Sequence, residues 1–442
     1  MNVSELYHDA PRTSAGIAVF MEAAVREGRI PSDDLLPPVR TLAESLEVSP
    51  ATVASAYRRL KLRGVVVTDG RRGTRVSATP PLAHPFARPV PPGVRDLSSG
   101  NPDPALLPSI AAALSEMPDE PILYGHDAHD ARLIQLARDG FDADGISSDA
   151  MAIVGGALDG LERVLRVHLA PGDRVGLEDP GWRSVYHLIA SLNLIPVPVP
   201  IDDDGPLPDA LQRVLQSGLD ALIVTPRAQN PTGAALERGR ASELERMVSV
   251  HPDLLLIEDD HAGPVSGSPY ESMVGEGREK WAVIRSMSKS FGPDLRVALM
   301  AGDAASIARV EVRRLLGPGW VSHILQRTVA HIWSDPTTPS LVEQAAETYR
   351  TRRKALIDAL ARRSIRARGK TGLNVWIEVR EEAAVVASML ARNWAVAPGE
   401  EFRMATVPAI RVTISTLDSS EAEAFAHDLE SVSTLRARVP VA

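Results

Sequence analysis

The chain has 442 residues, 44% hydrophobic and 24% charged, with a net charge of −9. Such a length supplies a deep core and about three domains at roughly 150 residues each. No run approaches the ~20 uncharged apolar residues of a membrane span, and the absence of cysteine excludes disulfides, thiolate catalysis and cysteine–zinc sites and agrees with a cytoplasmic location.

Residues 15–25 (AGIAVFMEAAV) are apolar, but Glu22 interrupts them and the acids Glu5 and Asp9 precede them. They predict the buried face of a helix rather than a signal peptide. A second helix is expected over 39–46, with Leu42 and Leu46 on one face. Ser49 suits an N-cap and Pro50 a first helical position, so a third helix starts there and runs to about Arg63. It should bury Val53, Ala56, Tyr57 and Leu60. The short β-branched runs 65–68 and 74–76 flank DGRRG, a hairpin signal. Helix, helix–turn–helix and hairpin is the order of a winged helix–turn–helix.

Charge is uneven. Residues 1–80 hold 11 basic and 9 acidic residues, leaving 37 and 48 for the rest. Seven basic residues and one acid fall within 55–76. A small basic patch on an acidic body points to a local polyanion-binding surface, or to a solvated helix face.

Residues 77–97 contain six prolines and read as an extended, semi-stiff linker. The N-terminal module is thus 1–76 and the body 98–442, with a large part over about 120–315 and a small part over about 340–442. Strand-like runs in the body (151–154, 174–178, 221–225, 254–258, 281–285, 296–301) alternate with helical ones. That alternation predicts a largely parallel sheet covered on both faces. Residues 303–365 read as mainly helical. Beyond 370, strand-like 373–379 and 409–415 alternate with helical 381–393 and 419–437.

Several strand ends carry chemistry. In RSMSKSFGPDLR, Lys289 follows a strand, with Ser286 and Ser288 before it and Arg296 after it. An amine among hydroxyls and a guanidinium suits a phosphate-bearing aldehyde. A lysine in a polar loop is the alternative. LLLIEDDHAG ends a strand in three acids. Asp259, placed just past the strand, suits a pyridine nitrogen, while Glu258 and Asp260 alternate away. Metal ligation is the alternative there. Asn230, in TPRAQNPTG, can donate to a ring oxygen. Gly155 and Gly156 lead into a helix whose Ala157 and Leu158 amides would face an anion. Trp182, in EDPGW, offers a flat face at the same edge. Each signal is weak alone; together they fall where one ligand could touch them all.

These motifs resemble a known architecture. GRIPSDDLLPPVRTLAESLEVSPATVASAYRRLKLRGVVVTDGRRGTRV is similar to the GntR winged helix. NPTG, the S-x-S-K segment with its arginine and E-D-P-G-aromatic resemble a fold-type I aminotransferase of the aspartate-aminotransferase class. In this order the two resemble the MocR subfamily of GntR regulators over essentially the whole chain. The resemblance implies pyridoxal 5′-phosphate (PLP) as a Schiff base on Lys289, with Asp259 at the pyridine nitrogen, Asn230 at the ring oxygen and Trp182 stacked on the ring. It implies Ser286, Ser288, Arg296 and the Ala157 and Leu158 amides as a phosphate cup. Arg411 would clamp an amino acid's carboxylate, with Gly100 also on the substrate side. Tyr124 would reach the phosphate of a neighbouring subunit, implying a homodimer.

There are departures. His261 stands where the family has tyrosine, and it titrates near neutrality. Leu158 and Asp159 replace polar residues of the cup, His129 replaces a glycine, and Pro50 replaces an arginine. On the DNA side, Arg40, Ser49, Thr52, Arg58, Arg71 and Arg72 are the candidates, with helix 50–63 in the major groove. The function implied is a PLP-dependent transcription regulator that senses PLP or an amino-acid or amine effector through the imine on Lys289. The alternative is an active aminotransferase carrying a DNA-binding module.

Overall fold

The computed structural model describes residues 11–62, 65–68, 73–76, 89–117 and 120–435. The chain divides into two compact units, Met1–Pro89 and Val90–Ala442.

In the first unit, helix α1 (Ser14–Arg26) starts where the Thr13 hydroxyl accepts the Gly16 N–H at 3.1 Å. Helix α2 (Val39–Leu46) stops where Glu47 takes a left-handed conformation, φ 52°. Helix α3 (Pro50–Leu62) is capped by the Ser49 hydroxyl, which accepts the Thr52 N–H at 3.1 Å. Ile17, Met21, Leu42, Leu46, Val53, Ala56 and Leu60 form one core with Val66 and Val76. Those valines lie on strands β1 (Val66–Thr68) and β2 (Thr74–Val76), an antiparallel pair in register Val66↔Val76. The expected winged helix–turn–helix is therefore formed. Its wing tip, with Arg71 and Arg72, lies outside the described residues.

The second unit is built on an eight-stranded sheet. Its strands are β4 (Met151–Val154), β5 (Arg174–Asp179), β6 (Ile195–Asp202), β7 (Gly205–Pro206), β8 (Ala221–Val224), β9 (Leu255–Asp260), β10 (Trp281–Ser286) and β11 (Ala298–Gly302), in the order β4-β11-β10-β9-β8-β5-β6-β7. Helices α6 (Ala157–His168), α7 (Arg183–Ser191), α8 (Pro208–Gln216) and α9 (Arg238–Ser249) make the crossovers; α4 (Ile110–Ser115) and α5 (Ala131–Ala143) precede them. Strand β11 runs antiparallel to both neighbours, pairing Ala298 with Ser286 and with Val154. The sheet is therefore mixed. The reversal has a use: it brings the start of β11, and Arg296 just before it, to the edge where β4 and β10 end.

Strand β6 was not expected, because IPVPVPID carries three prolines. In a parallel pair the N–H groups of alternate residues point to one neighbour. The Ile195 N–H donates to the Asp173 carbonyl at 2.8 Å, so by alternation the N–H groups of Val197 and Val199 also face β5 and the nitrogens of Pro196, Pro198 and Pro200 face away. The missing donors therefore fall away from β5, and only the two residues of β7 lie beyond.

Helices α10 (Ala304–Leu315), α11 (His323–Ser334) and α12 (Thr338–Ala361) lead to a small part. There strands β12 (Ala367–Arg368), β13 (Asn374–Glu378), β16 (Ala409–Thr413) and β15 (Ala397–Pro398) form an antiparallel sheet, flanked by α13 (Glu382–Leu390) and α14 (Ser419–Leu435). Residues 95–97, read above as the end of the linker, are folded into this part. Strand β3 (Arg95–Asp96) pairs with β14 (Trp394–Ala395), Arg95 pairs with Glu421 at 2.6 Å, and Leu97 is fully buried in the small-part core. Among the described residues, no helix is long and apolar enough to cross a membrane.

Candidate functional site

The C-terminal ends of β4, β5, β8, β9 and β10 share one edge, where open α/β sheets place ligands. Asp259 does not follow β9, as the sequence suggested, but lies within it, and all three acids there are buried. They have different fates. Glu258 accepts hydrogen bonds from the Tyr270 hydroxyl, the Ser272 hydroxyl (2.9 Å) and the Met273 N–H (2.6 Å). Asp260 is gripped by Arg227 (2.8 Å) and Arg285 (2.8 Å), which hold it well below the usual carboxylate range although burial opposes them. Asp259, pointing to the other face, has an Oδ1 with no hydrogen-bond partner among the described residues. Burial, then the charges of Asp260 and Glu178, push its pKa up to about 7. A buried carboxylate without a donor is costly to keep. Among the described residues no cluster has the make-up of a metal site.

Lys289 follows β10, and its Nζ donates to the Gly100 carbonyl at 2.8 Å. Burial, and then the Arg411 charge, lower its pKa to about 8. Ser286 and Ser288 sit beside it with their hydroxyls 3.1 Å apart. Arg296, at φ 48°, donates to the Gly155 carbonyl at 3.0 Å. A Cβ at Gly156 (φ 103°) would fall 2.3 Å from the Arg296 guanidinium, so only glycine lets the arginine lie across this turn. Helix α6 begins right after it with no side-chain cap, so the Ala157 and Leu158 amides belong to an uncapped N-terminus. Asp159 turns back to accept the Gly155 N–H at 2.8 Å, which gives the departure in this loop a local role.

The Asn230 Oδ1 accepts from Arg411 Nη1 at 3.1 Å, which leaves the amide nitrogen able to donate elsewhere. Trp182 immediately precedes α7 and packs on the buried cluster of that face. His261 follows β9. Burial and the Lys289 charge lower its pKa to about 4, so it is neutral at physiological pH rather than titrating near it. Tyr124 is 93% exposed and meets Trp320 edge-on at 5.5 Å, not a residue of this cluster.

Arg411 lies on β16 of the small part, 5% exposed, over the Phe402 ring at 4.7 Å. Its Nη2 donates to the Ser98 carbonyl, and its Nε has no partner among the described residues. Residues 95–103 thus form a strap through the site: Ser98 meets Arg411, and Gly100 meets Lys289 through its carbonyl and Thr413 through its N–H at 3.1 Å. Sequence reading missed Ser98, Thr413 and Phe402. Backbone carbonyls carry no side-chain signature, and Phe402 is an ordinary apolar residue until Arg411 lies over it.

On the first unit, Arg40 and Arg58 are exposed and form no ion pair with another described residue. Ser49 is exposed and its hydroxyl lies 2.8 Å from that of Thr52, so both belong to the cap of α3.

Residues 13–76 match the family described as bacterial regulatory proteins, gntR family, and residues 93–429 match aminotransferase class I and II. The vitamin B6 salvage pathway transcriptional repressor PtsJ of Salmonella typhimurium is 38% identical over 91% of this chain and 94% of its own length. The pyridoxine biosynthesis regulator PdxR of Corynebacterium glutamicum is 29% identical over 76% of each chain. The chain belongs to the MocR-type regulators of the gntR family. Among solved structures, Pyrococcus horikoshii kynurenine aminotransferase superposes on the MocR body with a TM-score of 0.72 at 21% identity, covering 78% of this chain and 92% of that one. LysN, the α-aminoadipate aminotransferase of Thermus thermophilus, gives 0.70 at 23%, covering 79% and 94%. These likenesses establish the fold of the MocR body as fold-type I.

The residues fit PLP. A partnerless buried carboxylate meets the need of a protonated pyridine nitrogen. The Gly156 turn with its uncapped helix, Arg296 and two serine hydroxyls meets the need of a phosphate. Lys289, with its lowered pKa, supplies an amine that is readily neutral and nucleophilic.

Proposed function

We propose that this MocR-type protein is a cytoplasmic transcription regulator. It binds PLP covalently at Lys289, binds DNA through α3 and the wing, and lets occupancy of the PLP site set its hold on DNA. Asp259 carries this reading. It is a buried carboxylate that lacks a donor, on the strand next to the one that leads into Lys289, a lysine of lowered pKa, which is the arrangement a pyridinium ring would satisfy. When bound, PLP supplies an aldehyde that condenses with amines and a ring that draws in electrons.

The chain's own residues then have separate tasks. Asp259 holds the ring nitrogen, and Asn230 and neutral His261 face the ring oxygen. Trp182 covers one ring face. Ser286, Ser288, Arg296 and the Ala157 and Leu158 amides hold the phosphate. Arg411 takes the carboxylate of an amino-acid effector, with Gly100 beside it. The strap 95–103 supplies the route outward. Its carbonyls at Ser98 and Gly100 engage the two cations that the ligands claim, and its N-terminal end continues into the segment that joins the two units. A homodimer completes the site in this reading. Tyr124 and Leu123 are exposed, as are Leu315, Leu316 and Ile324, and a second copy would cover them and receive Tyr124 at its phosphate.

The names of the relatives, both regulators of vitamin B6 metabolism, favour regulation over catalysis and a B6 vitamer as effector. The test is an absorbance titration of the apo-protein with PLP, run beside a DNA-binding assay on its own upstream region. A visible band should form at a rate that rises with pH through about 8, as the Lys289 amine loses its proton. Lys289→Ala should abolish the band and the PLP response while apo DNA binding persists. An unchanged band in that variant would overturn the assignment. Rapid multiple turnover with a common keto acid, without DNA binding, would establish the aminotransferase instead.

A further inference from the structure

Asp179 closes β5 and is 2% exposed. Its Oδ1 accepts the backbone N–H of Met404 at 2.8 Å, and its Oδ2 accepts those of Ala405 at 2.8 Å and Thr406 at 3.0 Å. All three donors belong to the loop of the small part that leads into β16 and Arg411. Neighbours of Asp179 grip the same loop. The Gly181 N–H donates to the Phe402 carbonyl at 2.7 Å, the Tyr186 hydroxyl shares its proton between that carbonyl at 3.0 Å and the Glu178 carbonyl at 2.7 Å, and Arg183 pairs with Glu401 at 3.1 Å. The Phe402 ring is thereby set under the Arg411 guanidinium and edge-on to Trp376 at 6.2 Å. At the other end, a Cβ on Gly181 would fall 2.4 Å from the Glu178 carbonyl, so the turn from Asp179 to Trp182 has no slack.

We propose that Asp179 is a positioning residue for carboxylate selectivity: by fixing the 402–406 loop it seats Phe402 beneath Arg411 and aims the guanidinium at an effector's carboxylate. The inference deepens the reading of Lys289 and Arg411 given above and rests on it. Three convergent N–H donors call for an anion. A neutral amide accepts through one oxygen only, and its NH2 would face donors. A guanidinium grips a carboxylate in a fork whose two bonds must be aligned together, so a small rotation of its support is felt there first. The ring-nitrogen, phosphate and amine contacts come from other strand ends, and Trp182, on the same turn as Asp179, keeps its own packing on the buried cluster of its face.

The probes are N-(5′-phosphopyridoxyl)-L-leucine and N-(5′-phosphopyridoxyl)-3-methylbutylamine, which differ only in the carboxylate. Their affinities for the full-length apo-protein are measured by calorimetry. In the wild type the leucine adduct should bind at least about tenfold tighter, or about 1.4 kcal/mol. In Asp179→Asn that ratio should fall to within about twofold, with the affinity of the amine adduct nearly unchanged. A ratio kept at the wild-type value overturns the proposal, even if both affinities drop together, because that is the mark of a merely structural residue. A wild-type ratio near one overturns it as well. If neither adduct binds the wild type, the PLP reading itself fails. Should Asp179→Asn not fold, Tyr186→Phe removes one donor to Phe402 and should lower the ratio by about two- to threefold; an unchanged ratio there is equally adverse.

Discussion

Asp259 and its neighbours Glu258 and Asp260 have the same chemistry and adjacent positions, yet very different surroundings. Strand alternation turns Asp260 toward Arg227 and Arg285 and leaves Asp259 facing the ligand edge. The folded pKa of Asp259 is raised to about 7 from an ordinary 3.8, so the folded apo-protein holds this proton more tightly than the unfolded chain does. The group is neutral in its effect below about pH 4, costs stability increasingly as pH rises, and levels off above about pH 7. Asp259→Asn should therefore stabilise the apo-protein by about 2–4 kcal/mol at pH 8, less at pH 5 and not at pH 3.5. Thermal unfolding at the three pH values checks it. The same substitution should weaken PLP binding, because a neutral amide does not balance a pyridinium. His261 shows what residue type alone misstates. Histidine titrates near neutrality in water, but burial beside Lys289 takes it out of that range.

At the scale of elements, the strap 95–103 is the least expected feature. Its upstream prolines read as linker throughout, and nothing in the residues 95–97 alone says that Leu97 enters a core or that Arg95 finds Glu421, more than three hundred residues away. Gly100 sits at φ 71°, and a Cβ there would lie 3.4 Å from the Arg411 guanidinium. Gly100→Ala should cost about 1–2 kcal/mol of stability, since a left-handed residue acquires a side chain. It should also narrow the difference in DNA affinity between the apo and PLP-bound forms while the absorbance band persists. Gel-shift titrations with and without PLP measure this. Strand β6 was hidden for the opposite reason. Its prolines argue against a strand, until the Ile195–Asp173 hydrogen bond shows that their nitrogens all turn away from β5. Helix α3 needed no such help, because its cap, its Pro50 start and its apolar spacing lie within one short segment.

For the whole molecule, charge distribution is the governing quantity. An acidic body repels a polyanion, and the local cations of the first unit oppose that repulsion, so DNA binding should be strongly salt-dependent. Arg40→Ala and Arg58→Ala should each lower the slope of log K against log salt by about one, weakening binding across sequences alike. A slope unchanged in both variants would remove these arginines from the interface.

The sequence by itself determined the two-unit plan, the winged helix, the strand–helix alternation and the identities of Lys289, Asp259, Asn230 and Arg411 as candidates. These are local signals: caps, turns, periodicity and motif spacing are written into neighbouring residues. Only the tertiary structure decided that β11 reverses to bring Arg296 onto the Gly155–Gly156 turn, and that Ser98 and Gly100 lie against Arg411 and Lys289. It also decided that Asp179 holds the loop beneath Arg411, and that one acid of three is left without a donor. Those facts depend on which distant segments meet and on how much water is excluded where they do. Hydrogen-bond partnership and desolvation are properties of the assembled fold, and no window of sequence contains them.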